Sequence, residues 1–289
     1  MTLSKNIKKT LITLAIAELL STAACYAADV LSGDVLKNTG MGGANLNNVN
    51  GATVKTDYNN ATITNIQKNS VLEWNTLNTG KDQSLNYVFP TAIGAGQTAL
   101  NKVVGNGMSQ FAGKLTTSGD GHVIISNPNG MLLLNGSYTQ ANELTLTTKN
   151  VVFDTNGNYV LKDNGNKNSI TVGQGVGNAA VVRVAKNLNI VAPIINVNGA
   201  ELVSGTDDKS VLGGDIRLIT SDGVNFYVDT NKFNANQGIK NINNTNNLTI
   251  KNANIAVKNK ANGKIYLTTK GNLNIENTDL TGSNSEMYI

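Results

Sequence analysis

Short runs of alternating apolar and polar residues recur along the chain from Gly51 onward. Each run is bounded by clusters of Asn, Gly, Asp or Ser, which is the pattern of β-strands joined by tight turns. No stretch after residue 30 shows a helical period of apolar positions with capping residues. The pattern therefore predicts an all-β chain of many short strands, with examples at 61–66, 71–74, 85–89, 123–125, 131–134 and 144–147.

Composition strengthens this prediction, because turn-forming residues are unusually abundant. Asparagine makes up about one residue in six, and 29 of the 289 residues are glycine. Both residue types tolerate the left-handed backbone of tight turns. The net charge is +4, but apart from an N-terminal group the basic residues are scattered, with hardly any aromatic residues between them. We therefore expect no nucleic-acid partner.

A weak repeat points to a particular all-β fold. The pattern Asn-Leu-polar-Ile occurs at 187–190, 247–250 and 272–275, and the segment 263–268 resembles 285–289. A period of about 20–25 residues with several short strands per repeat is typical of a parallel β-helix. A β-sandwich, which gives similar strands without a fixed period, is the alternative.

The chain stops in the middle of this pattern. Met287, Tyr288 and Ile289 are not followed by the polar cap that solenoids need for solubility. We therefore expect the chain to be the N-terminal part of a longer protein or a shortened form of one. Residues 181–289 are then predicted to be continuing β-helix coils of a truncated solenoid.

The first 27 residues have the features of a signal peptide. Lys5, Lys8 and Lys9 precede an apolar stretch, Leu11 to Leu20, and a small-x-small cleavage site ends at Ala27. Cys25 leaves two processing routes open. Either signal peptidase removes it, or Thr22-Ala-Ala-Cys25 acts as a loose lipoprotein signal.

The chain is poor in residues that carry catalysis or bind metals. A lone His122 is expected at the surface or in a turn, and it supplies neither a catalytic triad nor a metal site. Asp207, Asp208 and Asp215 lie close in sequence, and we expect them to solvate a loop rather than bind Ca²⁺ or line a catalytic groove. The sequence thus predicts no enzyme, no cofactor and no metal.

The segment 121–131 contains an apolar strand that runs directly into a tight turn. Asn127 suits the first turn position, Pro128 pre-sets the backbone at the second, Asn129 tolerates the third, and Gly130 releases the chain into the next strand. By local chemistry alone, this is a well-formed type I turn of structural use.

The order of motifs in residues 71–148 resembles the secretion domain of large exoproteins exported by two-partner secretion. That family includes filamentous haemagglutinin and the high-molecular-weight adhesins, and its domain is also called the haemagglutination activity domain. The matching segments, in order, are Val71–Asn78 around Trp74, Leu100–Gly105 with Asn101, the single strand Ser109–Leu115, Val123–Gly130 with the Asn-Pro-Asn-Gly turn, and Asn142–Thr148. Five weak motifs in the right order make a specific signal.

The resemblance implies a right-handed parallel β-helix with N-terminal capping strands. It implies that residues 28–180 form the N-terminal part of a secretion domain, with the motif core at 71–148. This domain would serve as the export address of an adhesin-like exoprotein. The route implied is the general secretory machinery, the periplasm, and then a cognate outer-membrane β-barrel transporter with periplasmic domains. The mature exoprotein would be secreted or lie on the bacterial surface and meet a host-cell or glycan receptor.

Six residues are the candidate site for transporter recognition or fold nucleation. They are Trp74, Asn101, Asn127, Pro128, Asn129 and Gly130. Sequence does not separate the two roles, although Trp74 is expected to be an apolar plug near the N-terminal end of the β-helix. Two competing functions stay open at this stage. One is a secreted β-helical polysaccharide-active enzyme, and the other is an autotransporter passenger.

Overall fold

The computed structural model describes residues 33–37, 43–155, 157–206, 213–220, 226–227, 246–258, 263–269, 271–282 and 287–288. The predicted signal peptide with Cys25, and the pair Asp207 and Asp208, lie outside the described residues. Within these ranges the chain forms 28 β-strands and one short 3-10 turn, Thr91–Ile93. The all-β prediction is confirmed.

The strands are numbered in chain order. The first fourteen are β1 (Gly33–Leu36), β2 (Ala44–Asn50), β3 (Ala52–Asp57), β4 (Asn60–Asn65), β5 (Asn69–Leu77), β6 (Ser84–Val88), β7 (Gln97–Val103), β8 (Ser109–Phe111), β9 (Lys114–Ser118), β10 (Gly121–Ser126), β11 (Met131–Leu133), β12 (Tyr138–Ala141), β13 (Glu143–Thr147) and β14 (Asn150–Phe153). The others are β15 (Tyr159–Lys162), β16 (Ser169–Val172), β17 (Ala180–Val184), β18 (Leu188–Ala192), β19 (Ile194–Asn198), β20 (Ala200–Ser204), β21 (Ile216–Thr220), β22 (Phe226–Tyr227), β23 (Asn247–Lys251), β24 (Asn254–Val257), β25 (Ile265–Thr268), β26 (Asn272–Glu276), β27 (Asp279–Gly282) and β28 (Met287–Tyr288).

Three long sheets form the faces of a parallel β-helix. Sheet 1 has the order β1-β2-β5-β7-β10-β13-β18-β21-β25-β28, sheet 2 the order β3-β4-β6-β9-β12-β17-β20-β24-β27, and sheet 3 the order β8-β11-β16-β19-β23-β26. The chain visits sheet 1, sheet 3 and sheet 2 in turn, as in β10, β11 and β12, and each strand pairs in parallel with its counterpart in the next coil. The predicted parallel β-helix is confirmed. Crossovers between parallel strands are right-handed in nearly all proteins, which agrees with the expected hand.

Antiparallel strands close the N-terminal end. In sheet 1, β1 pairs with β2 and β2 pairs with β5, while β3 pairs with β4 in sheet 2, all antiparallel. Leu36, Ala44 and Leu46 are buried there. The sequence pattern of residues 29–48 was too weak to predict β1 and β2, because they cap the core with few apolar side chains.

Columns of aliphatic side chains fill the interior. One column in sheet 1 stacks Val123, Leu144, Leu188, Ile216 and Ile265 from successive strands, all essentially inaccessible to solvent. Burying each such side chain contributes roughly 1.5–3 kcal/mol before the entropy of folding is subtracted. Where apolar and polar residues alternate along a strand, as in β4, the apolar side faces the core.

The weak repeat corresponds to stacked coils for two of its three copies. Strand β23 pairs in parallel with β26, so that Asn247 faces Asn272 and Leu248 faces Leu273. Strand β25 pairs with β28 in the same way. The copy at 187–190 belongs to sheet 1 rather than sheet 3, because a three-sided coil offers similar environments on different faces.

One predicted strand is divided in the structure. The segment 109–115 forms β8 and β9, separated by a corner at Gly113. A Cβ atom on Gly113 would overlap the backbone oxygens of Gly80 and Gln83 in the preceding coil. Alternation alone did not reveal this corner, because apolar positions continue across it.

A small antiparallel sheet of β14, β15 and β22 lies outside the helix proper. Its strands are inserted between β13 and β16, and between β21 and β23. The hairpin β14–β15 covers part of the outer face of sheet 1, where a second apolar cluster is buried. Members of this cluster are Leu100, Ile124, Val151, Tyr159, Leu161, Val191 and Ile219.

Candidate functional site

The Asn127–Gly130 turn connects β10 with β11 at the corner between sheets 1 and 3. The Gly130 N–H donates to the Asn127 carbonyl oxygen at 3.1 Å, and the Asn129 N–H donates to Asn127 Oδ1 at 2.9 Å. Gly130 has φ +103° and is buried, so a side chain there would be strained. The turn chemistry inferred from sequence is confirmed by these bonds.

The Asn127 side chain lies inside the corner rather than on the surface. It is fully buried, and its Nδ2 donates to the Gly107 carbonyl oxygen at 3.0 Å and to Ser109 Oγ at 2.9 Å. Both partners belong to the preceding coil. Asn suits this position because its short side chain supplies both an amide donor and a carbonyl acceptor, and the acceptor reaches the N–H of the residue two positions on.

The turn also contacts the coils on both sides through other groups. Asn129 Nδ2 donates to the Gly105 carbonyl oxygen at 2.8 Å in the preceding coil. In the following coil, Asn168 Nδ2 donates to the Pro128 carbonyl oxygen at 2.7 Å, and the Asn127 N–H donates to the Thr147 carbonyl oxygen at 3.0 Å. The turn therefore connects three successive coils.

The backbones of two neighbouring coils come close together at the corner that precedes the turn. A Cβ atom on Gly105 would overlap the Asn75 carbonyl oxygen, whereas a Cβ on Gly107 would have no heavy atom within 4 Å. Gly105 is thus required for corner stacking, and Gly107 only accepts a hydrogen bond from Asn127. This distinction is invisible in the sequence, where both are glycines in one turn.

Asn101 and Trp74 form a separate polar cluster in the core. Asn101 Oδ1 accepts hydrogen bonds from Trp74 Nε1 at 3.0 Å and from the Tyr87 hydroxyl at 2.9 Å. Its Nδ2 donates to the Ala99 and Ile124 carbonyl oxygens at 3.3 and 3.2 Å. All four hydrogen-bonding positions of the amide are used, as burial of a polar group requires. Burial raises the pKa of Tyr87, although its hydrogen bond to Asn101 acts in the opposite direction.

Trp74 lies one strand below the N-terminal cap. It is fully buried on β5, and its neighbour across the pair with β2 is Leu46. This position agrees with the plug role expected from sequence, with the addition of the indole hydrogen bond. The six candidate residues thus form two groups, the Asn127–Gly130 turn and the Trp74–Asn101 pair, which β10 links through Ile124.

His122 is buried, which contradicts the expectation of a surface or turn position. Its Nε2 lies 2.9 Å from Thr145 Oγ1, and Tyr159 of the hairpin packs on its ring edge-to-face with centroids 5.1 Å apart. Burial lowers the pKa of His122, and the charge of Glu143 opposes this effect. The expectation was wrong because the sequence pattern did not predict that a hairpin covers this strand.

Asp215 is also buried, contrary to the expected solvated loop. Its Oδ2 accepts a hydrogen bond from Arg217 Nη2 at 2.6 Å, and Arg217 Nη1 donates to Asn189 Oδ1 at 3.1 Å. Both side chains are largely inaccessible to solvent. Opposite charges on the outer face of sheet 1 must pair with each other when they are buried. The spacing of the aspartates in the sequence does not reveal that Asp215 is buried.

A cleft of about 470 Å³ borders the Asn127–Gly130 turn. Its lining combines the end of β7, the following turn, the corner itself and strand β14. These lining residues are Lys102, Val103, Val104, Gly105, Asn106, Ser126, Pro128, Asn129, Asn150, Val151 and Val152. Among the residues described, no group of three or more His, Cys, Asp or Glu side chains is arranged to hold a metal ion. The part of the chain that the structure covers contains no helix long and apolar enough to cross a membrane.

These features define a class of protein: a parallel β-helix with an antiparallel N-terminal cap and asparagine-built corners. The family model described as the TPS secretion domain matches residues 42–287. The chain therefore belongs to the TPS secretion domain family, the domain of two-partner secretion. This is a family of secretion domains rather than of enzymes, so nothing favours the polysaccharide-active or autotransporter alternative.

Three individual proteins are similar to the chain. The heme/hemopexin-binding protein of Haemophilus influenzae is 29% identical over 178 residues, which cover 61% of this chain and 18% of that protein. The HMW1 secretion domain from Haemophilus influenzae superimposes with a TM-score of 0.53 at 18% identity, covering 82% of this chain and 65% of that one. The filamentous hemagglutinin secretion domain gives a TM-score of 0.49 at 15% identity, covering 85% of this chain and 98% of that one.

Proposed function

We propose that the chain is the N-terminal export domain of an adhesin- or haemagglutinin-like exoprotein, recognised in the periplasm by a cognate outer-membrane β-barrel transporter. In this proposal residues 1–27 direct passage through the general secretory machinery, and residues 28–180 form the recognised domain. Residues 181–289 add further coils. The exported protein then meets a host-cell surface or glycan receptor. The match of the family to residues 42–287 supports this function.

The observation that carries the role of the site is the position of the Asn127 amide. Because its Nδ2 bonds to Gly107 and Ser109, the Asn127 side chain reaches its buried position only when the preceding coil is in place. Repeat proteins grow by adding each unit to its neighbour. We propose that Asn127 serves fold nucleation, while the half-buried Pro128 and Asn129 are the part of the turn available to the transporter.

The Trp74–Asn101 pair has the same nucleating role at the cap. Asn101 connects β5, β6 and β10 through its hydrogen bonds to Trp74, Tyr87 and Ile124. These hydrogen bonds therefore stabilise the correct register of the strands in the first coils. Coils that follow can then be stacked one after another as the chain emerges from the transporter, and this stacking favours onward movement.

The test is release of the chain into the medium, with and without the cognate transporter. We expect release only with the transporter, and we expect Asn127→Ala to reduce both release and the yield of folded protein. Asn196→Ala is the matched control, because Asn196 is half-buried and makes one long hydrogen bond of 3.4 Å to Thr171. Release of the wild type without the transporter would overturn the export function. Unreduced release of Asn127→Ala would overturn the role of the turn.

A further inference from the structure

The outer edge of β14 is a free strand edge beside the Asn127–Gly130 turn. Strand β14 is the terminal strand of its three-stranded sheet, and only β15 pairs with it among the described strands. At the hairpin end, the Asp154 N–H donates to the Asn158 carbonyl oxygen at 2.8 Å. In an antiparallel pair, every second residue exchanges backbone hydrogen bonds with the partner strand. Because Asp154 bonds to that side, the N–H and C=O groups of Val151 and Phe153 point away from β15.

The cleft beside this edge has an apolar wall and one charged side chain. Val104 is 51% exposed although it borders a concave surface, and the Val152 side chain is half-buried. Lys102 is the only charged residue that lines the cleft, and it makes no ion pair within the described residues. The cleft thus offers backbone hydrogen bonds, apolar contact and a positive charge.

We propose that this cleft binds an extended strand of the transporter's periplasmic domains, which pairs with the free edge of β14 and brings a carboxylate to Lys102. The inference rests on the proposed export function and assigns the surface for it. Addition of a strand to an exposed sheet edge is a general mode of recognition, in which backbone bonds give affinity and side-chain pockets give specificity. Pro128 and Asn129 form one wall, so the turn takes part in the same surface.

Charge complementarity distinguishes this occupant from a second copy of the chain. Strand β14 has the sequence NVVF and carries no carboxylate. Two copies joined edge to edge through β14 would therefore bring no acidic side chain on the pairing strand to Lys102. A separate strand with an acidic side chain supplies that partner.

The side-chain part of the proposal is tested by photo-crosslinking in cells that produce the full chain and the transporter. A benzophenone amino acid is placed at Val104, or at Val176 as the control, because Val176 is 97% exposed on the connection between β16 and β17. We expect a crosslink to the periplasmic domains from position 104 and none from position 176. No crosslink from position 104, or equal crosslinks from both positions, would overturn the proposal.

The backbone part is tested by comparing Val151→Pro with Val151→Ala. Both variants lose packing of the Val151 side chain, but only proline removes the outward N–H, and edge strands accept proline at such a position. At equal folded yield, measured by circular dichroism, we expect crosslinking through position 104 to fall by about fivefold more for Val151→Pro, the factor that one lost hydrogen bond is worth. Equal crosslinking by the two variants would contradict strand addition.

Failure of this inference is distinguishable from failure of the export function. If wild-type release depends on the transporter while position 104 gives no crosslink, the domain is an export address with another contact surface. If wild-type release does not need the transporter, the export function itself fails. A crosslink from position 104 to a second copy of the chain would replace the proposed occupant with self-association, and light scattering would then show a dimer.

Discussion

Asn101 occupies a position that an aliphatic side chain fills in the other coils. In sheet 1 its neighbours across the ladder are Leu72 on β5 and Ile125 on β10, followed by Leu146. A buried amide is tolerated there because every donor and acceptor has a partner. Its contribution is therefore to specify which strands meet, rather than to increase apolar burial.

We expect Asn101→Ala to lower the free energy of unfolding by about 2–4 kcal/mol, because it leaves two buried donors, Trp74 Nε1 and the Tyr87 hydroxyl, without this acceptor. Chemical denaturation followed by the fluorescence of the single tryptophan measures the change. Asn196→Ala is the control and should cost less than about 1 kcal/mol. Equal losses in the two variants would contradict the role of Asn101.

The corner glycines provide a second comparison at the residue scale. We expect Gly105→Ala to destabilise the protein strongly, because its Cβ would overlap the Asn75 carbonyl oxygen, while Gly107→Ala should be nearly neutral. Thermal melting of both variants measures the difference. A Gly105→Ala variant as stable as Gly107→Ala would mean that the corners are not closely stacked.

Sequence reasoning at the residue scale succeeded where the physics is local. The Asn127–Gly130 turn was predictable because its hydrogen bonds lie within four residues. The burial of Asn127 was not predictable, since its amide bonds to residues about 20 positions earlier. His122 shows the same limit, because its partners Thr145 and Tyr159 come from distant strands.

At the scale of elements, the hairpin β14–β15 is a part of the fold that the sequence did not predict, as are β1 and β2 of the cap. Its strands alternate like those of the coils, so periodicity cannot distinguish an inserted hairpin from a rung. The long sheets were predictable, because each strand repeats the same buried side. What marks β14–β15 as an inserted hairpin is the outer face of sheet 1, where the apolar side chains of Leu100 and Ile124 need to be covered.

His122 should make the hairpin sensitive to pH. Burial holds the pKa of His122 below its ordinary value, so the unfolded chain binds the proton first as the pH falls. The free energy of unfolding should therefore decrease as the pH drops from about 6.5, the ordinary histidine value, toward the lowered pKa, by at most about 1.4 kcal/mol per pH unit.

The measurement is chemical denaturation at several pH values between neutrality and mild acid. In His122→Gln this slope should be lost, because His122 is the only histidine of the chain. Hydrogen exchange of residues 150–162 should rise over the same range in the wild type. A slope that persists in His122→Gln would assign the pH dependence to other groups.

At the scale of the whole molecule, stability should vary along the solenoid. Strands β10, β13 and β18 are buried along their entire length, whereas β26 and β27 are mostly exposed or half-buried. We expect hydrogen exchange to be slowest in the first group and fastest in the second, because each coil is stabilised by its neighbours. Uniform protection along the molecule would contradict coil-by-coil stability.

The central claim is that the chain carries an export address. The most direct measurement joins residues 1–289 ahead of a reporter protein that otherwise stays in the periplasm, in cells with or without the cognate outer-membrane transporter. The account predicts that the reporter appears in the medium only when the transporter is present. Retention in the periplasm with the transporter, or release without it, would contradict the account.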